Sequence, residues 1–480
     1  MPEKAGVPVS DGKLVAGRTE LFSLIRLRPG GAEEQRRQYI SGRNVAVIAQ
    51  WPRRPGLRRY GAQRRAVGTR RALAPRGCEV ELTWRNPFML LASWIAIGSA
   101  LAFLAYIFVG YPLALKVLAS LRRRERPEPV LDEWPEISIV VAAYNEAGQI
   151  RQLIENLLEL DYPPERRQIV VVSDASTDGT DDIVREYADR GVELVRLPER
   201  RGKTGAENYA RPYLRGQIIV NTDASIRIGR DALRRLVAQF ADPTVGVASG
   251  RDVSVTRVDG DANLGESGYV GYEMWLRDLE TRVDGIVGAS GCLYAIRRDL
   301  HDYHLPEGLS RDFAAPLVAR QHGYRSVTVN DALCFVPRAP SLRREYTRKV
   351  RTITRGMETL FYKRALLDPF RYGLFSWMLF SHKVCRWLMP WALVVLVLGI
   401  AALSVTEPWA RAVALLILLG CALALAGWLW PDGKRIPRPL AIPTYIAVAN
   451  IAVLRAWFKA VRGELNPIWE PTRRVPVGSH

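Results

Sequence analysis

The sequence predicts an α/β domain inserted between transmembrane helices, and three observations support this prediction. An apolar run extends from Pro87 to Leu118, which is longer than the roughly 20 residues that cross a bilayer. Short apolar strands then alternate with amphipathic helical stretches between about residues 135 and 340, a pattern typical of a sheet covered by helices. Apolar segments return between residues 389 and 460.

Positive charge is concentrated at the N-terminal end of the chain. Residues 1–86 carry 18 Lys and Arg against 7 Asp and Glu, so they hold +11 of the formal net charge of +19. Their arginine-rich stretches lack periodicity, and we predict a disordered basic extension. It is either a tail with affinity for lipid head groups or an over-extended gene start. Since the chain shows no nucleic-acid recognition module, membrane lipids rather than nucleic acid are the expected partner.

The membrane segments define the remaining divisions of the chain. We assign the first transmembrane helix to residues 87–121, and the arginines that follow it place the next domain in the cytoplasm by the positive-inside rule. The last apolar stretch, Leu440 to Leu454, is short and suits either a re-entrant segment or a third span. The other divisions are an α/β domain over 135–340, amphipathic interfacial helices over 341–388, two or three transmembrane segments over 389–460, and a cytoplasmic tail over 461–480.

Polar side chains follow several predicted strands at the point where each strand ends. Because the carboxyl ends of parallel strands meet at one edge of an open α/β sheet, where ligands bind, we expect these side chains to lie together. The strands and the polar residues after them are Ile137–Ala143 with Tyr144, Asn145 and Glu146, Gln168–Ser173 with Asp174, and Gln217–Val220 with Asp223 and Ser225.

The last of these strand ends has a chemistry of its own. A carboxylate and a hydroxyl two residues apart, as in Asp223 and Ser225, can share a hard divalent cation with the phosphate oxygens of a nucleotide. The alternative is that Asp223 caps a helix that begins near Gly229.

Four motifs together resemble the family 2 glycosyltransferases of GT-A fold, and in particular the membrane-integral bacterial type related to polysaccharide synthases. Their order and spacing match that family, and the resemblance runs from about Pro135 to the tail at Arg473. It implies a Rossmann-like nucleotide-sugar domain. The motifs are Tyr144-Asn145-Glu146, the stretch Ser173 to Thr180, the Arg201-Gly202-Lys203 turn with Asn208, and Asp223-Ala224-Ser225.

The resemblance assigns a nucleotide-sugar site to the strand ends. It implies that Asp174 accepts the imide N–H of a uracil ring, which makes UDP the expected nucleotide, and that Lys203 binds the pyrophosphate as a point charge. The structural alternatives are that Asp174 and Asp178 form turns and that Lys203 is an ordinary exposed lysine. The rest of the nucleoside pocket comprises Ala143, Tyr144 and Glu146.

A divalent cation, Mg²⁺ or Mn²⁺, is also implied at Asp223, where it neutralises charge on the departing diphosphate. The more common family pattern is Asp-x-Asp. Because Ser225 replaces the second carboxylate, we expect either a weaker cation site or a bridging water.

The catalytic base is the next residue that the resemblance assigns. An inverting transfer needs a base that takes the proton from the acceptor hydroxyl as it attacks the anomeric carbon. This role falls to Asp312, with Arg311 standing where an acidic residue is usual. The alternative is that Asp312 caps a helix. An adjacent arginine weakens such a base unless its guanidinium points elsewhere.

A small-residue segment resembles the part of the family fold that lines the acceptor side, where the backbone approaches closely. It contains Ser290, Gly291 and Cys292. Glycines around a strand also suit a β-bulge, and this alternative stays open.

The final motif falls where processive synthases carry Gln-x-x-Arg-Trp. Arg351 matches its arginine and is expected to bind the diphosphate. Arg348 and Thr352 replace the glutamine and the tryptophan, which argues against a processive synthase because the aromatic platform for the acceptor sugar is missing. The alternative is a basic helix face that rests on lipid head groups.

The predicted function is a membrane-bound inverting glycosyltransferase of the hexosyltransferase type, in a bacterial inner membrane with the catalytic domain in the cytoplasm. It transfers a sugar from a nucleotide sugar, with UDP expected, to a lipid-linked or glycan acceptor. Two alternatives stay open. One is a catalytically silent subunit that binds a nucleotide sugar or scaffolds a membrane assembly, and the other is a processive polysaccharide synthase.

Overall fold

The computed structural model describes residues 87–122, 131, 133–255, 264–337, 342–431 and 436–464. The basic extension over 1–86, the arginines that follow Arg122, and the tail after residue 464 lie outside these residues, and so do the predictions made on them.

A single eight-stranded mixed sheet forms the centre of the α/β domain, with the strand order β3-β2-β1-β4-β7-β6-β8-β5. The strands β1, β2, β3 and β4 are mutually parallel, while β7 runs antiparallel to both β4 and β6. The strands are β1 (Ile137–Ala143), β2 (Arg167–Ser173), β3 (Val192–Arg196), β4 (Ile218–Asp223), β5 (Arg227–Ile228), β6 (Val245–Val255), β7 (Leu293–Arg297) and β8 (Arg325–Pro337).

Helices cover this sheet and continue on both sides of it along the chain. Those before and within the domain are α1 (Pro87–Ala105), α2 (Tyr111–Leu121), α3 (Ile150–Leu158), α4 (Thr180–Arg185), α5 (Gly202–Ala210), α6 (Ala232–Ala238), α7 (Leu264–Val283), α8 (Arg298–His301) and α9 (Arg311–Gln321). Those after it are α10 (Leu342–Tyr362), α11 (Pro369–Tyr372), α12 (Leu374–Leu379), α13 (Cys385–Leu403), α14 (Pro408–Trp428) and α15 (Arg438–Arg462).

The central strands are apolar on both faces, and every residue of β1 is buried. Alternate side chains of a strand point to opposite faces. Ile139 and Val141 accordingly belong to one hydrophobic core and Val140 and Ala142 to the other. This explains why these strands appear in the sequence as continuous apolar runs rather than as polar and apolar alternation.

The sheet has its topological switch point between β1 and β4. The chain runs outward through β1, β2 and β3 and then returns to form β4 on the other side of β1. Ala143 pairs with Ser173, and Ala142 pairs with Asp223, so the carboxyl ends of the three strands lie level. Such a crevice is where open α/β sheets bind ligands, and the predicted strand ends do meet there.

Four helical segments are long and apolar enough to cross a membrane, by length and composition, within the residues described. The segment Leu374–Leu403 is one of them, and it begins inside the stretch predicted to be interfacial. Its polar residues suggested a surface helix, but His382 is buried against carboxylates of α7. The last apolar stretch lies in Arg438–Arg462, which is long enough for a third span in this part of the chain.

A shared hydrophobic core joins the α/β domain to the apolar helices. It contains Tyr111 and Leu115 from α2, Leu276 and Leu279 from α7, Phe313 and Leu317 from α9, and Phe375 and Met378 from α12. The helix that begins at Arg311 is thereby packed directly against helices of the apolar segments.

Candidate active site

Asp174 lies after β2 and organises the next helix of the site. Its carboxylate accepts hydrogen bonds from the backbone N–H groups of Arg201 at 2.7 Å and Gly202 at 2.8 Å. The side chain is buried, so these bonds are shielded from water. Asp174 is therefore not a local turn former. It anchors the N-terminal end of α5, one residue before Lys203.

The loops after β1 and β2 are tied together by side chains. Asp178 accepts from Thr180 and from the backbone N–H of Ala147, and Asn145 accepts from the backbone N–H of Thr177 at 2.8 Å. Asp178 thus forms a turn, as the alternative interpretation of its motif predicted. Burial raises the pKa of Asp178, but the hydrogen bonds from Thr180 and Ala147 outweigh this effect and lower it.

The predicted nucleoside pocket lies beside these loops. Ala143 and Glu146 are buried, and Glu146 accepts a hydrogen bond from Gln149 at 2.8 Å. The guanidinium carbon of Arg200 lies 3.6 Å from the centroid of the Tyr144 ring, a cation–π contact. The sequence prediction missed Arg200. Its position directly before the Arg201-Gly202-Lys203 turn was the signal that could have identified it.

Lys203 and Asp223 form an ion pair where the pyrophosphate is predicted. The Lys203 Nζ atom lies 2.5 Å from Asp223 Oδ1 and 3.0 Å from the carbonyl oxygen of Gly291. Burial disfavours the ammonium, but the carboxylates of Asp223, Glu207 and Asp312 outweigh burial and raise the pKa of Lys203. Lys203 is therefore not an ordinary surface lysine.

Asp223 does not cap a helix. It is the last residue of β4, and the following helix begins only at Ala232, with Asp231 at its N-cap position. Ser225 lies two residues beyond Asp223 and is half-buried.

The donor atoms at this strand end suit a divalent cation. Asp223 offers a carboxylate and Ser225 a hydroxyl, which are hard oxygen donors of the kind that Mg²⁺ and Mn²⁺ prefer. Within the residues that the structure describes, no cluster of three or more His, Cys, Asp or Glu side chains is placed to hold a metal. The protein atoms therefore fit a cation that shares its coordination with a diphosphate, rather than a closed protein cage.

Asp312 lies in the first turn of α9, and its carboxylate lies near Lys203 and Gly291. Ser310, not Asp312, occupies the N-cap position, and its hydroxyl donates to Asp312 Oδ1 at 2.6 Å. A Cβ atom added to Gly291 would lie 2.9 Å from Asp312 Oδ2. A side chain at position 291 would require this carboxylate to shift, so glycine leaves room for it beside the segment whose carbonyl accepts from Lys203. The cap alternative for Asp312 is wrong.

Arg311 points away from Asp312 and into the protein. Its guanidinium donates to the carbonyl oxygen of His301 at 2.9 Å and to the side-chain oxygen of Asn208, and lies 3.4 Å from Glu207. Its side chain is only 4% exposed. Arg311, which stands where the family has an acidic residue, therefore binds buried partners within the protein. Its guanidinium is directed away from the Asp312 carboxylate.

Glu207 is a buried carboxylate of the site that the sequence prediction missed. It lies one helical turn after Lys203 on α5, which is the spacing that places two side chains on one face of a helix. Burial raises the pKa of Glu207, although the charges of Lys203 and Arg311 act in the opposite direction. The i, i+4 spacing from Lys203 was the signal that could have identified it.

Arg311→Met is expected to lower the free energy of unfolding by about 3–5 kcal/mol, because it removes the ion-pair partner of the buried Glu207 carboxylate. The pKa of Glu207 is already raised on folding, so ionised Glu207 opposes folding increasingly as the pH rises above its unfolded pKa of about 4.3. The loss should therefore be greater at about pH 8 than at about pH 4 in denaturant titrations.

Arg298→Met is the matched control for this prediction. Arg298 pairs with Asp302 at 3.6 Å on the surface, where both side chains are more than a third exposed. Its loss should cost less than about 1 kcal/mol. Equal destabilisation by Arg311→Met at both pH values would contradict the buried ion-pair argument.

The predicted acceptor segment is held by hydrogen bonds from both of its ends. The Ser290 hydroxyl donates to Asp252 at 2.5 Å and accepts from the Cys292 N–H at 3.0 Å. The Cys292 carbonyl accepts from the Thr222 hydroxyl at 3.0 Å. The segment precedes β7, whose pairing with β4 is continuous, so it is not a bulge in that strand.

The basic helix α10 contributes a second arginine that the sequence prediction did not name. Arg351 is half-buried on α10. Arg355, one turn later, donates to the Leu309 carbonyl and lies 3.1 Å from the Thr204 hydroxyl. Burial lowers the pKa of Arg355, whereas Asp312 and Glu207 act in the opposite direction. Arg355 therefore borders the centre between Asp312 and α5.

Arg348, which stands where the family motif has glutamine, pairs with Glu345 at 2.7 Å. Glu345 is buried, and Lys349 also lies within 3.3 Å of it. Arg348 therefore stabilises α10 itself.

The level strand ends, the Lys203–Asp223 pair and the Asp312 carboxylate lie together at one edge of an α/β domain, and this arrangement suits a nucleotide-sugar site of GT-A type. The family model described as "Glycosyl transferase family 2" matches residues 138–304. This part of the chain is therefore similar to the family 2 glycosyltransferases, and the fold and enzyme class predicted from the sequence are confirmed.

Similar proteins come from bacteria and archaea. A beta-monoglucosyldiacylglycerol synthase of Nostoc sp. is 29% identical over 185 residues, which cover 38% of this chain and 40% of the relative. An N-acetylglucosaminyltransferase of Rhizobium sp. is 27% identical over 304 residues, covering 58% of this chain and 65% of the relative. The matched parts thus span less than two thirds of either relative's length.

A solved structure resembles a larger part of the chain. A mannosyltransferase from Pyrobaculum calidifontis, in complex with GDP-Man and Mn²⁺, superposes with a TM-score of 0.58 and 27% identity. The match covers 77% of this chain and 99% of that protein.

Proposed function

We propose that this chain is a membrane-bound inverting glycosyltransferase that moves a hexose from a UDP-sugar to the hydroxyl group of a membrane-lipid acceptor. One observation carries the proposal. Lys203 Nζ, which pairs with Asp223, donates to the carbonyl oxygen of Gly291, and Asp312 Oδ2 lies against the Cα atom of the same residue. A group suited to bind a diphosphate and a group suited to accept a proton thus lie beside one residue, and displacement at an anomeric carbon needs both.

The donor binds at the carboxyl ends of β1, β2 and β4 in this proposal. Asp174 accepts from the nucleoside base, and Tyr144 and Glu146 border that base. Lys203 and Arg351 donate to the diphosphate oxygens, and the positive charge of Lys203 is secured by the carboxylates around it. A divalent cation held by Asp223 and Ser225 supplies additional neutralisation of the leaving diphosphate when bound.

The acceptor hydroxyl approaches along Ser290, Gly291 and Cys292. Asp312 Oδ2, which faces Gly291, accepts its proton as the oxygen attacks the anomeric carbon, and the bond from that carbon to the diphosphate breaks. Ser310 donates to the other oxygen of Asp312 and so orients the carboxylate. Attack from the side opposite the leaving group inverts the configuration.

A lipid acceptor is favoured by the packing of α9 against α2, α7 and α12, which brings the base-bearing helix next to the apolar segments. The Nostoc relative is named for a monoglucosyldiacylglycerol product, so we take diacylglycerol as the first acceptor to test. We further propose a bacterial inner-membrane location with the catalytic domain in the cytoplasm.

Release of nucleotide from a panel of donors tests the proposal. Purified protein in lipid vesicles that contain diacylglycerol is supplied with UDP- and GDP-sugars, with and without Mn²⁺. We expect metal-dependent UDP release and a new glycolipid from one UDP-hexose. Turnover of a GDP-sugar alone would overturn the UDP assignment, and binding of UDP without turnover of any donor would favour the catalytically silent subunit.

A further inference from the structure

A lysine and a tryptophan of the apolar segment Leu374–Leu403 reach the acceptor side of the centre. A Cβ atom added to Gly288 would lie 3.4 Å from Lys383 Nζ and 3.2 Å from the Phe313 ring. Trp387, one helical turn after Lys383, packs edge-on against the same Phe313 ring, with 6.3 Å between ring centroids. Both side chains therefore flank the residue that follows Asp312.

The segment that Lys383 touches leads directly to the reacting groups. Gly288 and Gly291 are three residues apart, a distance of at most about 10 Å. At Gly291 the segment lies next to both Asp312 Oδ2 and Lys203 Nζ. The short stretch of backbone from Gly288 to Gly291 thus connects the apolar helix with the catalytic centre.

The Lys383 ammonium is held loosely by its neighbours. Glu273 takes hydrogen bonds from His382 at 2.8 Å and Arg386 at 2.5 Å, and its distance to Lys383 Nζ is 3.6 Å. Among the residues that the structure describes, Lys383 also lies 3.5 Å from His382 Nε2. The Lys383 side chain is 21% exposed. It therefore keeps the capacity to donate to an oxygen atom of a ligand.

Trp387 lies beside α10, the helix in which the aromatic side chain of the family motif is missing. Thr352 stands in place of the motif tryptophan, and Gly356 lies one turn further along α10. A Cβ atom at Gly356 would lie 3.3 Å from Cζ2 of Trp387. A different helix thus presents an indole next to α10.

We propose that Lys383 and Trp387 form a subsite for the head group of a membrane-lipid acceptor. The Lys383 ammonium donates to a head-group oxygen other than the one that is glycosylated, of an ester or of a phosphate, and the Trp387 indole contacts the adjoining apolar atoms. The acceptor oxygen is thereby directed along the backbone from Gly288 towards Asp312. This inference rests on the proposed function, and it assigns acceptor recognition to a helix outside the α/β domain.

The test measures acceptor saturation in vesicles. Full-length protein is placed in phosphatidylcholine vesicles with increasing mole fractions of diacylglycerol or of polyprenyl phosphate, at saturating donor and Mn²⁺. Lys383→Met and Trp387→Leu should each raise the apparent KM for the productive lipid about tenfold, while the Kd for UDP is unchanged. Lys383→Arg should restore most of the affinity. The lipid that is glycosylated distinguishes a hydroxyl head group from a phosphate.

Two control variants remove a lysine and a tryptophan that lie outside the proposed subsite. Lys116→Met removes an exposed lysine from α2, and Trp391→Leu removes an indole one turn beyond Trp387. Neither should alter the apparent KM. An unchanged acceptor KM in a folded Lys383→Met or Trp387→Leu protein overturns the proposal.

Photolabelling of the wild-type protein tests the lipid subsite without requiring that a variant folds or that the enzyme turns over. A diacylglycerol with a photoreactive group beside its head group should label the peptide that contains Lys383 and Trp387. Labelling confined to other helices overturns the subsite. If the wild-type protein turns over no donor but is labelled at this peptide, the proposed function fails and the lipid site stands.

Discussion

Asp312→Asn is expected to lower kcat by about 10²–10⁴-fold, because an amide cannot take the proton from the acceptor hydroxyl. The substitution keeps the shape of the side chain and its ability to accept from Ser310, which donates to Asp312 Oδ1 at 2.6 Å. Donor binding should therefore be preserved. The measurement is single-turnover sugar transfer together with the Kd for UDP.

Asp302→Asn provides the matched control for this substitution. Asp302 is exposed just after α8, and its carboxylate lies 3.6 Å from Arg298. The sugar-transfer activity of Asp302→Asn should equal that of the wild-type protein. A kcat for Asp312→Asn within a few-fold of wild type would show that another group accepts the proton.

Lys203→Met is expected to weaken UDP binding by about 10- to 100-fold, the effect of losing one or two hydrogen bonds from a charged donor. The variant also removes the positive charge that acts on the carboxylates of Asp223 and Glu207. Because those carboxylates raise the pKa of Lys203, the wild-type ammonium stays protonated beyond the ordinary lysine pKa of about 10.4. The contribution of this ammonium to UDP binding is therefore complete below about pH 10.4, and it is lost only as the pH rises through the raised pKa of Lys203.

Calorimetric titration of UDP at about pH 6 and about pH 9 measures this effect, and the difference between wild type and variant should be the same at both values. Lys459→Met, near the end of α15, removes the same charge away from the site and should bind UDP normally. Wild-type affinity in Lys203→Met would place the diphosphate elsewhere.

The sequence alone determined the parts of this protein that depend on local pattern. Continuous apolar runs predicted strands buried on both faces, and the polar residues after them predicted the edge where Asp174 and Asp223 meet. The first strand has the predicted bounds, Ile137–Ala143. These features are encoded within a few residues of each other, because strand burial, turns and strand ends are set by neighbouring side chains.

Only the tertiary structure decided how distant side chains share one centre. Arg311 adjoins Asp312 in sequence, but packing directs its guanidinium to Glu207 and leaves Asp312 facing Gly291. Lys383 reaches Gly288, and Trp387 reaches Phe313 next to Asp312, from an apolar helix far along the chain. No local sequence pattern specifies such contacts. A buried charged side chain turns towards a group that offsets the cost of removing it from water, and only the tertiary fold determines which group lies within its reach.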